Sequence, residues 1–302
     1  MILNLVNPKN SDIGYKISRF PDGQQTIDLI TQTDRRDYHI TIKSRLNNFK
    51  DLEIIICATA ALKNLGFRSI ELFVPYFVGA RSDRKFVKGG VNYLKDVITP
   101  IINSQGYERV TVVDPHSDVL EALITNFDKI TNQHLVSVSM GKILLLDQLQ
   151  STNQIDVISP DAGASKKIYD VCSKIGFKGD IITASKQRNL KGDIIRTEVP
   201  GLNDRPGKRT FVIIDDICDG GRTFNEISKA IRSIRPKEIF NDSIYLIVTH
   251  GIFSAGFLEL SNHFKKIFTT NSFSDLNVED LSDYTVDRDF VDQLNVFQWL
   301  SV

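Results

Sequence analysis

Cysteine is scarce in this chain, with only Cys57, Cys172 and Cys218 among 302 residues. An odd, sparse set without metal-ligand spacing argues against a disulfide scaffold and for free thiols in a reducing compartment. Net charge is missing too. Lys+Arg and Asp+Glu number 37 each, which argues against a general nucleic-acid or membrane-surface binder. Any phosphate site must then be local, not a broad basic face. No apolar run is long enough to span a bilayer. Met1 to Asp12 lacks the basic start and apolar core of a signal peptide. A cytoplasmic protein is expected. There is no low-complexity linker, and no repeat aligns residue by residue.

What is present reads as a globular protein. A length of 302 residues usually makes two domains or one large one, and 41% apolar with 25% charged residues is ordinary for such a chain. Apolar runs alternate with helical patterns, predicting an α/β fold with largely parallel sheets. A helix is expected over 50–65, with Ile54, Ala58, Ala61, Leu62 and Leu65 on one face and Gly66 past its end. Strands are expected at 69–74 and 109–113, and a helix at 91–103 whose end Pro100 interrupts. In the second half, strands are expected at 155–158, 179–183, 211–214 and 239–248. Helices should follow Asp161 and Asp219. Residues 184–209, rich in Lys, Arg, Asn and Gly, read as a long mobile or irregular segment. Two similar α/β domains are expected, 1–140 and 141–302. Each should present loops at the carboxyl ends of its strands, where open α/β sheets bind ligands.

The most informative stretch is Phe211-Val-Ile-Ile-Asp-Asp-Ile-Cys-Asp-Gly-Gly-Arg-Thr-Phe224. A β-prone run enters paired acids, then a tight polar loop, then a helical pattern. Gly220 and Gly221 permit positive φ and close approach of a ligand to the backbone. The N–H groups of such a loop and of the first helical turn form an anion cradle, to which Thr223 adds a hydroxyl. Asp215 and Asp216, just before the loop, are placed to accept from sugar hydroxyls. A phosphate cradle beside diol-binding carboxylates describes a sugar-phosphate site.

This stretch resembles the ribose-phosphate motif shared by type I phosphoribosyltransferases and ribose-phosphate pyrophosphokinases (PRPP synthetases). The first half distinguishes the two. Pro75-Tyr76 followed by Ala80-Arg81-Ser82-Asp83-Arg84-Lys85 resembles the synthetase signature Pro-Tyr-x-x-x-Ala-Arg-Gln-Asp-Arg-Lys. Three cations and one acid in five residues suit a nucleotide polyphosphate, with Asp83 orienting the arginines. Phe20-Pro21-Asp22-Gly23-Gln24 is similar to the family's adenine-binding Phe-x-Asp-Gly-Glu. That likeness implies stacking by Phe20 and hydrogen bonds from Asp22 and Gln24, usually across a subunit interface. Pro-Asp-Gly is also a strong turn signal in its own right.

Three more segments follow in the family's order. Asp114-Pro115-His116 resembles Asp-Leu-His, implying that His116 lies at the ATP and metal site. Ser159-Pro160-Asp161-Ala162-Gly163 is similar to Ser-Pro-Asp-x-Gly, whose acid binds Mg²⁺; Asp161 takes that place. An Asp at a strand end suits a hard cation. Lys186-Gln187-Arg188 matches the family's catalytic flexible-loop Lys-x-Arg. Two cations on a mobile loop neutralise charge on a transferring phosphoryl group. The likeness runs over roughly residues 18 to 275.

The resemblance implies two phosphoribosyltransferase-like domains, an ATP-binding side in 1–140 and a ribose 5-phosphate side in 141–302. It implies transfer of pyrophosphate from ATP to ribose 5-phosphate, with Mg²⁺, Lys186 and Arg188 as catalytic cations, and Asp215, Asp216, Asp219, Gly220, Gly221, Arg222 and Thr223 around the sugar phosphate. A homo-oligomer, dimer or hexamer, is implied as well. The chain departs from the pattern at Ser82 and Gln24, where the family has Gln and Glu. It departs also at Phe86-Val-Lys-Gly-Gly-Val91, which replaces a polar segment tied to regulation. The loop Asp-Gly-Gly-Arg-Thr is closer to some base phosphoribosyltransferases. A PRPP-consuming base transferase and a catalytically silent regulatory homologue therefore stand as alternatives.

Overall fold

A computed structural model describes residues 1–30, 39–188, 194–276, 287 and 289–301; the side chains of residues 187, 188, 194, 195, 300 and 301 lie outside that description. The chain forms two compact units. One holds the residues up to Ile130 together with those from Phe297 onward, the other Thr131–Val296.

The first unit contains strands β1 (Ile2–Asn4), β2 (Gly14–Arg19), β3 (Gln25–Ile30), β4 (Ile40–Lys43), β5 (Ile70–Phe73), β6 (Arg109–Val113) and β7 (Phe127–Ile130). Its helices are α1 (Phe49–Asn64), α2 (Thr99–Ser104) and α3 (Val119–Leu123). A five-stranded sheet runs in the order β1-β4-β5-β6-β7 and is parallel throughout. β2 and β3 form a separate antiparallel hairpin. The Asn48 side chain accepts from the amides of Lys50 and Asp51, satisfying two otherwise unpaired donors at the start of α1. Leu52, Ile55, Ala58 and Leu62 then fall on one face and pack with sheet residues such as Ile42, Leu72 and Val110.

The helical stretch expected at 91–103 begins at Tyr93 and opens with a π turn, Leu94–Ile98, that passes into α2. The amide of Thr99 reaches back to the carbonyl of Leu94. Pro100 has no N–H and would crowd an ordinary α turn, and the wider turn accommodates it without ending the helix. The C-terminal residues close this unit. The ammonium of Lys43, which is buried, donates to the carbonyl oxygen of Phe297 at 2.8 Å, and the Phe297 ring meets Phe73 edge-on at 5.9 Å.

The second unit begins with α4 (Gln133–Leu146) and continues through β8 (Ile155–Ser159), α5 (Ala162–Lys174), β9 (Asp180–Thr183), β10 (Ser185–Arg188) and β11 (Ile194–Glu198). After these come β12 (Thr210–Cys218), α6 (Arg222–Ile234), α7 (Lys237–Phe240), β13 (Ser243–Gly251), α8 (Leu258–Ser261), β14 (Lys266–Thr270) and β15 (Val291–Leu294). A six-stranded sheet, all parallel, runs β15-β14-β13-β12-β8-β9. Its central strands are buried on both faces, and this is why they read as near-continuous apolar runs.

Three expectations change here. Residues 184–209 are not irregular throughout, because β10 and β11 pair as an antiparallel ribbon; residues 189–193 lie outside the described ones. Residues 239 and 240, read as the start of a strand, belong to the short helix α7 after Pro236, and the strand itself begins at Ser243. Finally, β12 does not stop at Ile214. It runs on to Cys218, so Asp215 and Asp216 lie inside the strand, paired alongside β13.

Candidate functional site

In the second unit, β8 has β9 on one side and the later strand β12 on the other. The crevice between β8 and β12, at their carboxyl ends, is therefore a topological switch point, where open α/β sheets hold ligands. Asp161 follows β8 and the 219–223 turn follows β12.

Asp161 caps α5. Its Oδ1 accepts from the amides of Gly163 and Ala164 at 3.0 and 3.2 Å. Its Oδ2 faces the ammonium of Lys186 at 3.7 Å. Lys186 stands on β10, and its side chain is only 11% exposed. The Arg188 backbone closes β10, and its side chain lies outside the described ones. Asp215 is the most perturbed acid of the group. Burial pushes its carboxyl well above the usual carboxylate range, and the neighbouring Asp216 and Asp161 push further. The amide of Asp216 donates back to Asp215 Oδ1 at 2.9 Å. Asp161, Lys186, Asp215 and Asp216 thus belong to one electrostatic cluster. Its surplus of carboxylate oxygens suits hydroxyls and a hard cation.

The turn after β12 is tight. Gly221, with φ 77°, caps α6, and a Cβ there would come within 2.8 Å of Leu260. Gly220 does not share the positive φ. The carbonyl of Gly221 accepts from Phe224 and Asn225, while helix geometry leaves the amides of Arg222 and Thr223 without intrahelical acceptors. These amides, the Thr223 hydroxyl and the exposed Arg222 lie together where an anion could be held. Cys218, just before the turn, is a buried free thiol. Burial pushes its thiol up to about 12, with Asp215 and Asp219 adding to the effect.

In the first unit, the Arg81–Lys85 segment follows β5 as a series of turns. Asp83 is buried and grips Arg84 through two bonds, Nε to Oδ1 at 2.7 Å and Nη2 to Oδ2 at 3.2 Å. Ser117, one residue past His116, donates to Asp83 Oδ2 at 2.8 Å, and Asn92 donates to the Asp83 carbonyl at 2.7 Å. The Arg84 and Ser117 bonds, then the charges of Arg84 and His116, hold the Asp83 carboxyl below its usual range. The signature segment and the Asp114-Pro115-His116 corner are therefore joined at Asp83. Arg81 and His116 are exposed beside it. Asp114, with φ 41°, holds an uncommon left-handed conformation directly before Pro115.

Phe20, Asp22 and Gln24 form the tip of the β2–β3 hairpin. The amide of Phe20 donates to the Gln24 carbonyl, and that of Gln24 to Asp22 Oδ1. Phe20 is 52% exposed. The tip's own bonds do not tie it to the Asp83 cluster; the hairpin is anchored instead by Gln25, whose amide and side chain meet Glu53 of α1.

The sequence reading missed three supports of this site: Ser117 and Asn92 on Asp83, and Ser254, whose hydroxyl donates to Asp219 Oδ1 at 2.6 Å. Local sequence carries no signal for these pairs: strand order brings Ser117 to Asp83 and Ser254 to Asp219, and the fold of the loop after β5 brings Asn92 back to Asp83.

A divalent cation can be tested against this donor set. Among the described residues, no group of three or more His, Cys, Asp or Glu side chains is arranged to hold a metal ion. Mg²⁺ bound with a nucleotide keeps waters and phosphate oxygens and needs only one or two carboxylates. Asp161, exposed at a strand end, fits that lesser demand.

The sequence matches no family model. It is 26% identical over 271 residues to the ribose-phosphate pyrophosphokinase of Thermosipho africanus, covering 88% of this chain and 80% of that one. It is 27% identical over 260 residues to that of Aquifex aeolicus, covering 85% and 78%. Among solved structures, the phosphoribosylpyrophosphate synthetase of Mycobacterium smegmatis shares the fold, with TM-score 0.74 and 16% identity over 97% of this chain and 90% of that one. Among the described residues, no helix is long and apolar enough to cross a membrane.

Proposed function

We propose that this chain, a divergent relative of the ribose-phosphate pyrophosphokinases, transfers the β,γ-pyrophosphoryl group of ATP to the 1-hydroxyl of ribose 5-phosphate, giving PRPP and AMP. The observation that carries the reading is the meeting of Asp161, Lys186 and Asp215, and the turn after Cys218, at the switch point of one parallel sheet.

In this reading the amides of the 219–223 turn, Thr223 and Arg222 hold the 5-phosphate. Asp215, Asp216 and Asp219 meet the ribose hydroxyls. Burial favours the protonated form of Asp215, which can donate as well as accept. The 1-hydroxyl oxygen attacks the β-phosphorus and gives its proton to solvent, and the bond from that phosphorus to the α,β-bridging oxygen breaks to release AMP. Lys186 and Arg188 neutralise charge spread over the transferring group. Arg81, Arg84 and His116, ordered around Asp83, hold the triphosphate, and Phe20, Asp22 and Gln24 the adenine. Asp161 would hold Mg²⁺, which when bound screens the phosphate charge. Half-exposed Phe20 at a hairpin tip suits a base presented by a neighbouring subunit in a dimer or hexamer. The site of action would be the cytoplasm.

A base phosphoribosyltransferase would leave the Asp83–Arg84–Ser117 cluster without a role. The test is a product assay with purified protein, Mg²⁺, ATP and ribose 5-phosphate. AMP formation dependent on ribose 5-phosphate and matched one to one by PRPP is expected. A folded protein that forms no AMP under these conditions would refute the activity.

A further inference from the structure

The loop after β13 folds over the turn after β12. The carbonyl oxygen of Cys218 accepts from both Ile252 and Phe253, at 2.8 and 3.2 Å. Ser254 donates to Asp219 Oδ1 at 2.6 Å. A Cβ placed on Gly220 would meet Ala255 and Ser254 at 3.9 Å. Each of these contacts joins the outgoing loop of one central strand to the candidate phosphate turn on the next.

The loop is held in a conformation its residues do not favour. Phe253 has φ 49°, rare for a bulky side chain. Its ring lies over Gly251, where a Cβ would come far too close to the ring, and it packs on Phe257 at 4.7 Å between centroids. The amide of Gly256, itself at φ 70°, closes the turn onto the Phe253 carbonyl. Strain kept at such a corner calls for compensating bonds, and the two amides on Cys218 supply them. With the backbone held this way, Ser254 is delivered to Asp219 although its own side chain is exposed.

We infer that Ser254 is a positioning residue for the sugar-phosphate site, acting through Asp219. The inference rests on the reading of the 219–223 turn as the ribose 5-phosphate cradle. A carboxylate next to an anion cradle is a liability, because it repels the incoming phosphate. A hydroxyl donated to Oδ1 answers this in two ways. It draws charge off the carboxylate and holds its rotamer, so that Asp219 meets the sugar and not the phosphate.

The test compares wild type with Ser254→Ala and Ser254→Thr, in the complete chain with Mg²⁺. Calorimetry gives the affinity for ribose 5-phosphate, and AMP formation gives separate KM values for ribose 5-phosphate and ATP. Loss of a charge-assisted bond predicts ribose 5-phosphate binding weakened about 10-fold or more in Ser254→Ala. The KM for ATP and the melting temperature should stay near wild type, and Ser254→Thr, which keeps the hydroxyl, should recover most of the affinity. Equal affinity in wild type and Ser254→Ala would overturn the positioning role while leaving the synthetase reading intact. Loss that extends equally to ATP, or that Thr does not rescue, would also overturn it, as a general packing effect. A wild type that binds no ribose 5-phosphate would remove the cradle itself, and the inference with it.

Discussion

The ammonium of Lys186 stands 3.7 Å from Oδ2 of Asp161, so a cation of the β10–β11 ribbon reaches the acid that caps α5. The same acid spends its other oxygen on the first-turn amides of that helix. Lys186→Ala should lower kcat for AMP formation about 100-fold or more, as loss of a preorganised donor to a transition state does. The affinity for ribose 5-phosphate should change little, since the interaction is one gained on the way to the transition state. Steady-state kinetics beside calorimetry separate the two. Full turnover in the variant would remove Lys186 from the chemistry.

Gly221 tests the turn. Its φ of 77° suits glycine, and a Cβ would sit 2.8 Å from Leu260 Cδ2. Gly221→Ala should cost about 1–2 kcal/mol from the left-handed backbone alone, read as a lower urea midpoint. Ribose 5-phosphate binding should weaken as well, because the amides after Gly221 change direction. Gly220→Ala is the contrast. That position has an ordinary φ and no neighbour closer than 3.9 Å, so its stability should hold.

How much of this was legible beforehand depends on distance along the chain. The Asp-Gly-Gly-Arg-Thr turn and the Ser-Pro-Asp corner are continuous segments whose residue types announce a strand end and an anion cradle, and they lie at the carboxyl ends of β12 and β8. The end of β12 was not legible. Paired acids look like the close of a strand, yet Asp215 continues to pair with Val248 because β13 runs on beside it as far as Gly251, past the last rung with β8 at Ile213. Residues 184–209 misled for the opposite reason: their polar composition hid a two-stranded ribbon that rests on backbone pairing. Ser117 on Asp83 and Ser254 on Asp219 depend on strand order, which no local pattern carries.

Asp215 predicts a pH dependence of opposite sign to the usual carboxylate. Its folded carboxyl is held well above the ordinary value, chiefly by burial and then by Asp216. As pH rises past the ordinary carboxylate range, the unfolded chain gives up this proton first. The folded state is thereby disfavoured progressively until the pH reaches the folded pKa. The contribution is thus intact in acid and eroded toward neutrality. Asp215→Asn has no such proton to lose, so its melting temperature should gain on wild type as the pH is raised above the ordinary carboxylate range. Melting curves of both proteins without ligands decide it; a constant offset across the range would contradict the assignment. Activity should fall in the same variant if Asp215 meets the ribose hydroxyls.

Asp242 and Arg235 predict a larger loss from a place the chemistry does not use. Arg235 is 1% exposed and bonds Asp242 through Nε at 2.7 Å and Nη2 at 3.1 Å. Its remaining donors reach the carbonyls of Arg205 and Gly207, and its guanidinium lies 4.1 Å from the Phe240 ring centroid. Asp242 also receives the amide of Arg209 at 2.7 Å, so one acid ties the chain before β12 to the chain before β13. Removing only the acid strands a buried charge, and Asp242→Ala should therefore cost about 3–5 kcal/mol. Replacing both partners by apolar residues removes the stranded charge, and Arg235→Met with Asp242→Leu should recover much of that loss, though not the bond to Arg209. Urea unfolding of the two variants separates the alternatives. A double variant as unstable as Asp242→Ala would mean that the acid acts mainly through the Arg209 backbone, not by balancing Arg235.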